Sequence, residues 1–148
     1  MGGEIDLDPA SCHEANETVG ATRIYTEHED GAAQPWDAER IWLNAPHSRH
    51  TTMRWVVRLE RAWQTRELQQ AVSIWPCSTT STWFGLLWRH PVCFLRKRVR
   101  FAAPSGTGRT EDSPRESHVV VYHGRQTHRF IGAFGAFGPI ALNAVCHE

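Results

Sequence analysis

The chain has 148 residues, which is long enough to bury a hydrophobic core but short for an enzyme with a separate recognition domain. Its 16 basic and 16 acidic residues cancel, yet residues 1–40 contain ten Asp and Glu and two Arg, whereas residues 41–148 contain six acidic and fourteen basic residues. No stretch approaches the ~20 apolar residues of a membrane span, and the first residues lack the basic and apolar regions of a signal peptide. We therefore expect one domain, residues 1–148, located in the cytoplasm and without a membrane partner.

The basic residues are almost all arginine, with Lys97 the only lysine among the 16. Guanidinium groups bind phosphate and guanine in a bidentate manner, which favours a nucleic-acid partner. A codon preference for arginine explains the same composition without any such partner. Composition alone leaves both interpretations open.

No Cys-x-x-Cys pair occurs among the four cysteines, which are Cys12, Cys77, Cys93 and Cys146. The nearest metal-like spacing is that of His90 and Cys93, and one such pair cannot fill a tetrahedral zinc site. Lone thiols on predicted strands are ordinary core residues. We predict free cysteines and no bound metal.

The first part of the chain predicts three strands and one helix. Alternating apolar residues in EIDLDPAS predict a short strand that ends at Asp8-Pro9. Residues 13–21 predict a helix closed by Gly20. Residues 22–26 and 40–44 predict two more strands, separated by a loop that contains Asp30-Gly31 and Pro35.

From Thr51 the hydrophobic pattern changes to a helical period. The apolar face of this predicted helix consists of Met53, Val56, Val57, Leu59 and Trp63. Next come a strand over 70–75 that Pro76 ends and a short helix over 81–90 that Pro91 ends. Residues 92–102 and 117–124 predict two strands joined by a Gly/Ser/Thr/Pro-rich segment over 104–114, long enough to be mobile.

The last segment, RFIGAFGAFGPIAL, has a glycine at every third position from Gly132 to Gly138. This spacing imitates a phosphate-binding loop, but the strand that such a loop requires does not precede it. We predict instead a helix that ends at Gly138-Pro139, followed by a final strand. Strands that alternate with helices early and follow one another late predict a Rossmann-like α/β sheet with an antiparallel final part.

Three stretches resemble one protein family in their residues and in their order: IDLDPAS, TRIYTEHEDGAAQPWDAERIWLNAPHSR, and HPVCFLRKRVRF with SPRESHVVVYHG. Together they closely resemble the phage-type DNA N6-adenine methyltransferases, from about Glu4 to about Pro139. The resemblance implies a Rossmann-like methyltransferase fold with a mixed sheet and antiparallel C-terminal strands. It also implies S-adenosylmethionine as cofactor, double-stranded DNA as partner, and transfer of a methyl group to the exocyclic amine of adenine.

The resemblance also implies cofactor-binding residues at two acidic positions. Asp8 and Pro9 occupy the place of the acidic strand end that contacts the methionine and ribose portions of the cofactor. Asp30, before Gly31, occupies the place of the acid that contacts its adenine. The alternatives are a turn or helix-capping role for Asp8 and an ordinary Asp-Gly turn at Asp30.

Asn44-Ala45-Pro46-His47 stands where the family has its catalytic Asn-Pro-Pro-Tyr. In that motif the Asn side chain and the next carbonyl accept hydrogen bonds from the adenine amine, and the aromatic ring stacks on the flipped base. Ala45 keeps the carbonyl but lacks the ring that restricts φ, although Pro46 still favours an extended Ala45. His47 offers a smaller ring that protonates near neutral pH, and a plain loop histidine is the alternative.

A basic stretch with neighbouring aromatic residues predicts the DNA-binding surface. Its charged residues are Arg96, Lys97, Arg98 and Arg100. Arg49, directly beyond the catalytic motif, and Arg115 are further candidates for phosphate contacts. The alternative is a solvated strand edge whose charges prevent pairing with another strand.

The family normally has a Tyr-Thr-Pro segment before its first cofactor strand, and this chain begins only a few residues before that strand. We therefore expect a domain shortened at its N-terminus. This departure and the altered catalytic motif keep a second interpretation open, in which the chain is an inactive methyltransferase-like DNA-binding protein or a prophage remnant.

Overall fold

The computed structural model describes residues 3–101 and 116–142. Its strands are β1 (Leu7–Asp8), β2 (Arg23–Ile24), β3 (Ala38–Leu43), β4 (Leu68–Pro76), β5 (Val92–Phe94), β6 (His118–His123) and β7 (Ile140–Ala141). Its α-helices are α1 (His13–Val19), α2 (Thr52–Gln64), α3 (Phe84–Leu87) and α4 (Thr127–Phe134). Two 3-10 helices, Glu27–Glu29 and Gly31–Ala33, lie in the segment predicted as a loop.

These strands form one seven-stranded sheet in the order β2-β1-β3-β4-β6-β5-β7. The first four strands run parallel to one another, whereas β6 pairs antiparallel with β4 and β5, and β7 pairs antiparallel with β5. The predicted mixed α/β sheet with antiparallel C-terminal strands is confirmed. The carboxyl ends of β1 to β4 lie at one edge of the sheet, which we name the carboxyl edge.

Strand β6 contributes to both layers of the core. Val119 and Val121 pack in the cluster beneath α2 and α3, whereas Val120 and Tyr122 pack with Phe130 of α4 on the other face. Successive side chains of a strand point to opposite faces. A strand with every residue buried therefore lies between two helical layers.

Helix α2 buries a face that differs from the predicted one. Met53 and Val57 are 37% and 47% exposed, whereas Trp55 and Glu60 are buried. The Trp55 ring stacks on the ring of Trp36, with 6.5 Å between the centroids. We attribute the rotation of the helix to this contact, which places Trp55 in the core.

The predicted basic strand does not form, because β5 ends at Phe94. Phe94 pairs with Val119, and the Leu95 amide donates to the His118 carbonyl at 3.2 Å. This is the last backbone hydrogen bond between this segment and β6 among the described residues, and the Arg96 amide donates instead to the Phe137 carbonyl at 3.0 Å. Arg96, Lys97, Arg98 and Arg100 therefore lie outside the sheet.

The C-terminal helix is also shorter than predicted, since α4 ends at Phe134 and not at Gly138. A Cβ atom at Gly138 would lie 1.8 Å from the carbonyl oxygen of Phe94. The chain must leave the helix to make this close approach, which brings Ile140 into the predicted final strand beside Cys93. Glycine is required at 138 by the contact between two backbones.

Helix α1 ends as predicted at Gly20, which has a left-handed φ of 67°. Cys12, Cys77 and Cys93 are free, while Cys146 and the connecting segment over 104–114 lie outside the described residues. Among the residues described, no helix is both long and apolar enough to cross a membrane.

Candidate active site at the carboxyl edge

The segment Asn44–His47 begins where β3 ends, between two parallel neighbours. Leu7 of β1 lies opposite Ile41 of β3, and Leu43 of β3 lies opposite Ser73 of β4. The segment therefore leaves the sheet beside the ends of β1 and β4. This is the edge at which open α/β sheets carry their ligand sites.

Asp8, the last residue of β1, is only 3% exposed. Its Oδ1 accepts a hydrogen bond from the Ala10 amide at 3.1 Å. Burial raises the pKa of Asp8, although hydrogen bonds from Ala10 and Ser11 act in the opposite direction. The carboxyl group thus lies at the carboxyl edge, where it organises the turn after β1.

The two predicted cofactor segments contact each other through Gly31. A Cβ at Gly31 would lie 1.8 Å from the Pro9 carbonyl oxygen, so only glycine permits this backbone contact. Asp30 has a left-handed φ of 52°, and its Oδ2 accepts a 2.7 Å hydrogen bond from Arg54 of α2. This hydrogen bond lowers the pKa of Asp30 and keeps the exposed carboxylate ionised.

The four motif residues differ in exposure: Asn44 and His47 are half-buried, Ala45 is 3% exposed and Pro46 is exposed. His47 Nε2 lies 3.1 Å from the carbonyl oxygen of Ile74 in β4. A carbonyl only accepts, so Nε2 must carry the proton. Burial lowers the pKa of His47 more than this hydrogen bond raises it, which favours the neutral ring near pH 7.

Three other aromatic rings surround His47. The ring centroids of Trp75, Phe101 and His118 lie 6.0, 6.3 and 5.8 Å from it. Phe101 also packs edge-on against His118 at 5.0 Å. Because Phe101 follows the basic residues, this contact brings the exposed segment 96–100 to the carboxyl edge.

An open cleft of about 540 Å³ lies beside this ring cluster. It is lined by His47, Ser48, Arg49, Thr52, Pro76, Cys77, Ser78, Ser81, Trp83, Glu116 and Ser117. Thr52 is the first residue of α2, so the positive end of the helix dipole is at the cleft wall. Arg49 adds a cation, whereas Asn44, Asp8 and Asp30 do not line this cleft. Arg115 lies outside the described residues.

Sequence reasoning missed a second cluster, formed by Glu60, His90 and His123. One signal was available, because Glu60 is four residues after Val56 and three before Trp63. That spacing places Glu60 on the apolar side of α2 and not with the neighbouring arginines.

The predicted DNA-binding residues Arg49, Arg96, Lys97, Arg98 and Arg100 are exposed, as a phosphate-binding role requires.

Comparison with known proteins gives one family and one solved structure. The family model described as DNA N-6-adenine-methyltransferase (Dam) matches residues 2–137. A crystal structure of a Thermoplasma acidophilum protein aligns with a TM-score of 0.41 and 15% identity, over 82% of this chain and 65% of that chain. No curated protein matches the sequence.

Proposed function

The chain belongs to the Dam family of DNA N-6-adenine-methyltransferases, and from this premise we propose that it methylates the exocyclic amine of adenine in double-stranded DNA. We propose S-adenosylmethionine as the methyl donor, a phage or prophage origin, a single Rossmann-like methyltransferase domain, and action in the bacterial cytoplasm. The observation that carries this proposal is the position of Asn44–His47 at the end of β3, beside the end of β1.

The residues at the carboxyl edge suit such a cofactor. S-adenosylmethionine, when bound, supplies an electrophilic methyl group. The contact between Gly31 and the Pro9 carbonyl places the turns after β1 and β2 against each other. Asp8, Pro9 and Asp30 would hold the cofactor there, since carboxylates accept hydrogen bonds from hydroxyl and ammonium groups. Arg54 would keep Asp30 ionised and oriented.

Asn44 and the Ala45 carbonyl would hold the target amine. The lone pair of adenine N6 is delocalised into the ring, so the amine is a weak nucleophile. Two oxygens that accept hydrogen bonds from this amine favour a pyramidal nitrogen and stabilise the positive charge that develops during transfer. The packing of Ala45 in the core fixes the position of its carbonyl.

His47 would stack on the base after it leaves the duplex. Its hydrogen bond with the Ile74 carbonyl and its contact with Trp75 fix the ring position. The lowered pKa keeps the ring neutral, so the ring would not place a cation against the base.

The DNA backbone would contact Arg49 in the cleft and the exposed residues Arg96, Lys97, Arg98 and Arg100. Packing of Phe101 against His47 and His118 keeps this basic segment next to the proposed catalytic residues. Arg115 belongs to the same proposal through the sequence resemblance alone. Contacts of this kind provide affinity without base specificity.

The test is methyl transfer from labelled S-adenosylmethionine to duplex DNA by the protein and its Asn44→Ala variant. We expect transfer to fall by about 100-fold or more, the cost of losing one such polar group, with unchanged cofactor affinity in calorimetry. Gln69→Ala is the matched control, because Gln69 is an exposed amide near the other end of β4.

An undiminished rate in Asn44→Ala would refute the role of Asn44. DNA binding by the wild-type protein without cofactor binding or transfer would refute the enzymatic proposal and support the inactive DNA-binding alternative.

A further inference from the structure

A buried polar cluster joins three segments that are distant in sequence. Glu60 comes from α2, His90 precedes β5, and His123 is the last residue of β6. Their exposures are 6%, 8% and 0%. Glu60 Oε1 lies 2.7 Å from His123 Nε2 and 2.8 Å from His90 Nε2. Two imidazole nitrogens thus converge on one carboxylate oxygen.

Hydrogen bonding does not satisfy this cluster completely. His90 Nε2 is close to the carboxylate, yet it is buried without an aligned hydrogen-bond partner, and so is His123 Nδ1. The two rings are 3.7 Å apart at their centroids and inclined by 32°. Buried polar atoms normally have partners. Here an imidazole nitrogen faces a carboxylate oxygen without an aligned hydrogen bond. This arrangement indicates a site at which both atoms bind a ligand.

We propose that Glu60, His90 and His123 bind a divalent transition-metal ion, for which zinc is best suited. Potential ligand atoms of the three side chains all lie within 4.8 Å of one another. Two imidazoles and one carboxylate form a known donor set for zinc, with a fourth position for water. Tetrahedral bonds of ~2.0–2.1 Å separate ligand atoms by roughly 3.4 Å, so the distances from the carboxylate oxygen to the two imidazole nitrogens, now 2.7 and 2.8 Å, would have to increase by roughly 0.6–0.7 Å.

The protonation states at neutral pH suit metal binding. Burial would raise the pKa of Glu60, but the interactions with His123 and His90 outweigh it and lower that pKa to about 2. Burial lowers the pKa of His123 to about 4, in spite of its hydrogen bond with Glu60. An ionised carboxylate and a neutral imidazole are the forms that bind metals.

Trp63 shields the cluster on one side. Its ring packs edge-on against His90 and His123, with centroid distances of 6.4 and 6.3 Å. Trp63 also lines an open cavity of about 640 Å³ near the start of β4, so this residue contacts both the cluster and the cavity. A metal here would link α2 to β6 and to the segment before β5. Its proposed role is therefore structural and independent of methyl transfer.

Zinc titration of chelator-treated protein tests the proposal, with a chromogenic competitor to measure free zinc. We expect one tightly bound equivalent and a rise in the melting temperature. Glu60→Gln and His123→Gln should weaken this binding by more than the roughly 10–100-fold that changes around a metal site cost. The control His128→Gln removes an exposed histidine of α4 and should retain the tight equivalent.

A second measurement uses the wild-type protein alone, so its result does not depend on whether the variants fold. Nitrogen-15 spectra of the wild-type histidine rings should show zinc shifting His90 and His123 first. Tight binding retained by folded Glu60→Gln, or zinc shifts confined to other histidines, would overturn the proposal. The absence of any tight equivalent in the wild-type protein would also overturn it.

Discussion

Strand β6 carries a buried histidine at each end, and the two ends differ in what surrounds the ring. His118 begins the strand and lies beside His47, with 5.8 Å between the ring centroids. His123 ends the strand beside His90, with 3.7 Å between centroids and the Glu60 carboxylate against both. The five-residue separation along the strand corresponds to about 17 Å. We name these pairs the open end and the sealed end.

The difference shows how surroundings decide what similar residues do. At the open end, His47 lines an open cleft with Arg49, near exposed basic residues. At the sealed end, a buried carboxylate faces the rings and Trp63 covers them. An open end can receive a large charged ligand such as DNA. A sealed end can only stabilise the fold or hold a small ion.

Replacing the carboxylate at each end should produce the largest contrast. Glu60→Ala removes the acceptor that His123 uses and leaves a cavity, so we expect a loss of about 3 kcal/mol or more in the free energy of unfolding. Glu116→Ala at the open end removes an exposed group and should change stability little. Urea unfolding of both variants measures this, and equal stabilities would show that the two ends do not differ as proposed.

Acid should destabilise the metal-free protein mainly through the sealed end. The folded-state pKa of His123 is about 4, against an ordinary value of 6.5, so the unfolded chain binds a proton first as the pH falls. The associated loss in the free energy of unfolding, on the order of 3 kcal/mol, develops as the pH falls from 6.5 to 4. The folded-state pKa of Glu60 is about 2, against an ordinary value of 4.5. Protonation of Glu60 therefore adds a further loss of stability as the pH falls from 4.5 toward about 2.

Urea midpoints at a series of pH values would detect this slope. Burial also lowers the pKa values of His47 and His118, which adds to the loss in the same direction. His123→Gln should flatten the profile between pH 6.5 and 4. A flat profile in the wild-type protein would contradict the assignment.

DNA affinity should depend on charges at the open end only. Changing Arg96, Lys97 and Arg100 together to Gln should lower the slope of log affinity against log salt by about 3, since each phosphate contact contributes ~0.9. The control changes the exposed Arg61, Arg125 and Arg129, which lie in or near α2 and α4. Fluorescence anisotropy with duplex DNA at several salt concentrations would measure both slopes, and an equal decrease would refute a localised surface.

Restoring the family motif should have the smallest effect. Ala45→Pro with His47→Tyr restricts the backbone before Pro46 and enlarges the stacking ring, so we expect methyl transfer to rise by about 10-fold. Single-turnover transfer with saturating cofactor would measure the change. A decrease with an intact fold would show that His47 suits this cleft better than tyrosine does.

Much of the fold could be predicted because local patterns determine it. Gly20 ends α1 as its position before a strand suggested, and the buried run at 118–123 forms a central strand. The basic strand over 96–100 was predicted wrongly because strand length depends on tertiary pairing: β5 ends at Phe94, and the Arg96 amide donates to the Phe137 carbonyl and not to β6. The rotation of α2 was missed because the contact of Trp55 with Trp36 is a tertiary one.

The sequence by itself determined the order of strands and helices, the family, and the position of Asn44–His47 after a strand, because these depend on periodicity and on contiguous motifs. Only the tertiary structure decided that Gly31 contacts Pro9, that His47 packs against β4, and that Glu60 meets His90 and His123. The sealed end combines residues thirty or more positions apart. No local sequence pattern predicts contacts between residues so distant in sequence, since these contacts depend on how α2 and the sheet pack around their shared core.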